Sequence, residues 1–151
     1  MTSAISETIH AGPVGITFLL EAEQTGGALT AFECEVPAAA KVPATHSHDA
    51  FEETIYGLSG TITFTVQGTD HDIRAGDALF IPRGAVHGFI NRGETGARFL
   101  AVTTPGLLGP AYFRDIRDVL NASAGGPPDL DAIKDVMRRH GLTPAPQPPT
   151  A

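Results

Sequence analysis

The stretch His46-Ser47-His48-Asp49-Ala50-Phe51-Glu52-Glu53-Thr54-Ile55-Tyr56-Gly57-Leu58-Ser59-Gly60 decides how this chain is read. Side chains at i and i+2 of a strand share a face, so an extended His46-Ser47-His48 projects both imidazoles together. Glu53 then opens an apolar run that ends at the turn Ser59-Gly60. A second stretch supplies a third imidazole: Gly76, Pro82, Gly84, His87 and Asn91 follow at short spacings, and His87 enters a strand after the turn residues. Three imidazoles and one carboxylate can hold a divalent first-row metal and leave positions open for water or substrate.

The surrounding chain supports strands. Segments 14–23, 28–36, 53–58, 61–67, 78–81, 87–91 and 97–103 are short, rich in β-branched and aromatic residues, and separated by Gly and Pro. Thr61-Ile62-Thr63-Phe64-Thr65-Val66 alternates, which puts Ile62, Phe64 and Val66 on one inward face. Such spacing predicts an all-β core, a double-sheet antiparallel barrel over 14–104. Beyond it the period changes. Tyr112, Phe113, Ile116, Val119 and Leu120 fall on one helical face after Pro110. Asp129 reads as the N-cap of a second helix to about His140, with Gly141 as its C′ residue. The expected organisation is a flexible arm over 1–13, the barrel, a helical appendage packed outside it over 105–142, and a disordered Pro-rich tail over 143–151.

Composition removes several function classes. The 151 residues suit one domain, and 10 Lys and Arg against 17 Asp and Glu leave a net charge of −7. An acidic chain is repelled by phosphate backbones and anionic membranes, so neither nucleic acid nor membrane is an expected partner. Cys34 is the only cysteine, which excludes an intramolecular disulfide and a Cys-rich zinc module. There is no long apolar run and no secretory pattern at the N-terminus, so the expected compartment is the cytoplasm.

With these residues in place, the chain resembles the cupin superfamily. His46-x-His48, four residues, Glu53, six residues and Gly60 follow that family's first motif, with Ala40 where the family has its opening glycine. Gly76, Pro82, Gly84, His87 and Asn91 follow the second. The resemblance implies a cupin double-stranded β-helix, or jelly-roll barrel, with two C-terminal α-helices. It implies that His46, His48, Glu53 and His87 bind one divalent metal ion, whether Fe, Mn, Ni, Co, Cu or Zn. Glu52 is the rival to Glu53, but only Glu53 leaves six residues before Gly60.

Glu53 is also the candidate catalytic base. Ile55 shares its parity and Phe89 that of His87, so both are expected to wall the pocket. Phe51, Phe64 and Phe80 read as core residues that could join it, Phe64 being carried forward as a pocket residue. His71 is expected at a solvated hairpin tip, His10 in the mobile terminus, and His140 at a helix end. The implied function is a metal-dependent cupin enzyme on a small phenolic, enolic or carbonyl substrate, first a quercetin-dioxygenase-like oxidoreductase. Lyase, isomerase or cyclase chemistry is the alternative, and a non-catalytic ligand-binding cupin another. Tyr56 and Leu58 face opposite to Glu53, and their exposure points to a homodimer, with the C-terminal helices as competing cover.

Overall fold

The computed structural model describes residues 6–40 and 44–146. Two antiparallel sheets face each other. One runs β1 (Thr8–Ala11), β2 (Val14–Leu20), β3 (Thr30–Val36), β10 (Ala97–Thr104), β5 (Glu52–Ser59), β8 (Ala78–Ile81) in spatial order. The other runs β11 (Leu142–Pro144), β4 (His46–His48), β9 (His87–Ile90), β6 (Thr61–Val66), β7 (Thr69–Arg74). Two helices follow the barrel strands, α1 (Pro110–Ala122) and α2 (Leu130–Arg139). The expected all-β core with two C-terminal helices is what the chain forms.

Alternation along each strand builds the core. Ile62 and Phe64 from one sheet, and Ile55, Phe99 and Ala101 from the other, are buried between the layers. Left-handed glycines turn the chain where expected, at Gly60 (φ +65°) and Gly84 (φ +81°). The turn before β4 takes its left-handed residue at Ala39 (φ +57°) and not at Ala40, so the missing glycine at 40 carries no strain. Asp129 caps α2 by accepting from the Ala132 amide at 3.1 Å, and Gly141 follows it at φ +81°.

Several expectations need correction. Thr8–Ala11 is no flexible arm: it pairs with β2 and buries Ile9 and Ala11, although His10 stays exposed as its parity requires. Residues 1–5 of that arm lie outside the described residues. Leu142–Pro144 is no start of a disordered tail: it pairs with β4, buries Leu142, and ties Thr143 Oγ1 to Asp49 at 2.6 Å. The rest of the tail from 147 lies outside the described residues. His71 is at no hairpin tip but within β7, opposite Phe64. Phe80 faces solvent at 56% exposure, because β8 turns its neighbour Ile81 inward to pair with Glu53.

Candidate metal centre

Three separate strands bring the candidate ligands together. β4 carries His46 and His48, β9 places His87 directly opposite His46, and β5 supplies Glu53 from the facing sheet. Nitrogens of His46, His48 and His87 lie within 4.8 Å of one another. Glu53 Oε2 stands 3.4 Å from His48 Nε2 and 3.9 Å from His87 Nε2. Glu52 points the other way and pairs with Arg83 at the surface. Strand parity thus separates the two adjacent carboxylates, one inward and one outward.

The local backbone sets two of the rings. His46 Nδ1 lies 3.0 Å from the Ala44 carbonyl and His87 Nδ1 lies 2.9 Å from the Ala85 carbonyl. A carbonyl only accepts, so each Nδ1 carries the proton and each Nε2 keeps its lone pair for the centre. This is the arrangement by which outer hydrogen bonds orient metal-binding imidazoles. His48 is held differently, stacked on Phe51 at 4.3 Å, and its buried Nδ1 has no hydrogen-bond partner among the described residues.

Electrostatics keep the imidazoles neutral. Burial, then the neighbouring His87, pushes His46 down to about 4 against the help of its carbonyl. Burial, then His46 and His87, pushes His48 down to about 2. Burial lowers His87 too. Burial raises the Glu53 carboxyl to about 7. Three neutral nitrogen donors and one buried carboxyl, with lone pairs converging and no cationic side chain among the described wall residues, form a set that a divalent cation can complete. The residues fit a metal: His46, His48 and His87 lie close enough together to share one ion, and Glu53 is placed against two of them.

The donors line a cavity of about 70 Å³, room for a few water molecules. Phe64 and Phe89 line it. Ile55 does not: it is fully buried on the same face as Glu53 but one rung further along β5, within the core. Phe51 is likewise core, beneath His48. The expected outside appendage instead closes the site. Tyr112, Phe113 and Ile116 of α1 form part of the cavity wall, with Leu142 of β11 and Cys34 of β3. Burial, then the charge of Glu53, raises both the Tyr112 phenol and the Cys34 thiol above their usual ranges. The helical periodicity already put Tyr112, Phe113 and Ile116 on one apolar face; what that face covers was not readable from it.

Comparisons agree with this architecture. Residues 32–103 match the model of the cupin domain. A solved structure described as a predicted oxalate decarboxylase from Thermotoga maritima is 29% identical, with a TM-score of 0.60 over 66% of this chain and 91% of that one. A sugar phosphate isomerase of the cupin superfamily from Silicibacter pomeroyi is 23% identical, with a TM-score of 0.54 over 61% of this chain and 59% of that one. An RmlC-like cupin from Shewanella frigidimarina is 20% identical, with a TM-score of 0.56 over 66% and 84%. No curated protein matches the chain by sequence. With the histidine cluster held between two facing sheets, residues 32–103 form a cupin domain. No helix among the described residues is long and apolar enough to cross a membrane.

Proposed function

We propose that this protein is a metal-dependent cupin enzyme acting on a small organic molecule that offers oxygen donors. The observation that supports it is the convergence of three neutral imidazoles and the buried Glu53 carboxyl on one small, otherwise apolar cavity. His46, His48, Glu53 and His87 are the residues that would hold the ion. Bound there, a divalent metal would stabilise an enolate, phenolate or carboxylate oxygen and, if redox-active, support reaction with O₂.

The chain's own groups supply the rest. Glu53 Oε2 faces the cavity and accepts a proton from the substrate's acidic carbon or hydroxyl. Burial raises its proton affinity in the metal-free protein, and a bound cation would leave it ionised and able to take that proton. Phe64, Phe89 and Phe113 exclude water and favour a flat or aliphatic body. Tyr112 offers the one hydroxyl among the described wall residues and can donate to a substrate oxygen.

Dioxygenase chemistry on a phenolic or enolic substrate is the first reading. Redox-neutral lyase, isomerase or decarboxylase chemistry is the second, favoured by the placement of the Glu53 carboxylate in the cavity and by the likeness to the predicted oxalate decarboxylase from Thermotoga maritima. The test is metal analysis of protein purified without chelators, then oxygen uptake and product analysis with flavonols, catechols, diketones and small carboxylic acids. Glu53→Gln should lower turnover by roughly 10²–10⁴ with most metal retained, the usual contribution of a positioned general base. Wild-type turnover in that variant would remove Glu53 from the mechanism. Metal binding without turnover of any of these compounds would favour a ligand-binding cupin.

A further inference from the structure

A second depression adjoins the metal-side cavity. It lies between α1, α2 and the β1–β2 turn, has a volume of about 370 Å³, and is lined by Pro13, Leu120, Leu130 and Ile133 together with the loop after α1. Ala11, Ala44 and Ile116 line both spaces, so these three small or aliphatic side chains are what stands between them. The inner cavity, at about 70 Å³, is several times smaller. It can take the oxygen-bearing head of a ligand but little more, whereas small-molecule sites commonly span about 300–1,000 Å³. No charged side chain lines the outer groove among the described residues, and Leu130 at its edge is 51% exposed.

We propose that the ligand of this site is an elongated, amphipathic molecule. Its oxygen-donor head occupies the inner cavity, and its uncharged apolar tail runs past Ile116 into the groove between α1 and α2. This rests on the metal-site reading above and specifies its substrate class. The tail is apolar because the described residues of the groove offer it aliphatic surface and no counter-charge. It is narrow where it passes Ile116, whose side chain stands between the two spaces.

The test uses the full chain loaded with Co(II), whose visible absorption reports the ligand field, and two probes with the same chelating head, acetohydroxamate and octanohydroxamate. Each methylene brought out of water is worth up to about fourfold in affinity. With one side of the groove open, octanohydroxamate should bind at least about tenfold more tightly. Leu130→Asp charges the exposed end of the groove without entering the core. It should abolish most of that gain and leave acetohydroxamate affinity unchanged. Equal affinity for the two probes in the wild type overturns the proposal, as does a gain that survives Leu130→Asp. A cobalt band that neither probe alters also overturns it, with the metal site left standing. If added Co(II) gives no band at all, the metal reading falls and this inference falls with it.

Discussion

Acidification of the metal-free protein separates a histidine cluster that is built to stay neutral from one that is merely buried. His46 and His48 titrate near 6.5 in an unfolded chain but near 4 and 2 in the fold. Their contribution to stability is therefore complete above 6.5 and is lost as the pH falls toward those values. Glu53 acts in the opposite sense. Raised from 4.5 to about 7, it stabilises the fold below 4.5 and loses that contribution as the pH rises through 7. At about pH 5.5 the unfolded chain holds roughly 1.8 more protons on the two histidines, while the fold holds roughly 0.9 more on Glu53. The difference, near one proton, corresponds to a loss on the order of 1 kcal/mol per pH unit, and His87, also lowered, adds to it. In the metal-loaded protein a ligating Glu53 is ionised, so its opposing proton disappears. The two histidines alone then give a slope roughly twice as steep. Urea midpoints followed by circular dichroism between about pH 7 and 5, with chelator and with excess zinc, measure both slopes. Metal-free stability that is flat or rises on acidification would refute the reasoning. Equal slopes with and without metal would show that Glu53 does not ionise at the ion.

His48→Ala should strip most of the metal while leaving the β-type dichroism intact, since His87 and Glu53 are anchored on other strands and His46 keeps its place in β4 opposite His87; His71→Ala, on β7, should leave metal content unchanged. Tyr112→Phe keeps the wall's shape and removes its hydroxyl, so substrate affinity should fall by about 0.5–1.5 kcal/mol, a single hydrogen bond, with the melting temperature little changed; an unaltered KM and kcat would exclude contact with the substrate. The helices pack on β1 and β11 and leave Tyr56 and Phe80 exposed at 45% and 56% on the outer face of the β5–β8 pair. We expect a homodimer through this face, so light scattering at high micromolar concentration should give twice the chain mass, and Tyr56→Lys with Phe80→Lys should halve it. A wild-type monomer would dismiss that expectation.

What could be read in the chain by itself was what local geometry determines. The two-residue period of a strand places His46 beside His48, and separates inward Glu53 from outward Glu52 and Tyr56, whatever the rest of the molecule does. Left-handed turns demand glycine at 60 and 84, and an apolar stripe with an Asp cap marks α2, because these follow from backbone sterics and hydrogen bonding within a few residues. Parity, however, tells which face a side chain joins and not how deep along the barrel it lies, so Ile55 was expected in the cavity and stands in the core. Hydrophobicity likewise suggested an interior place for Phe80, but its register against Thr54 turns it to solvent. The closure of the site was settled only by tertiary structure. Leu142–Pro144 is too short to signal a strand, and it becomes one because the free edge of β4, nearly a hundred residues earlier, offers it hydrogen bonds. That pairing, with the packing of α1 on β1, carries Tyr112, Phe113 and Ile116 over the histidines. Long-range burial selects such contacts, and no pattern within a single segment encodes them.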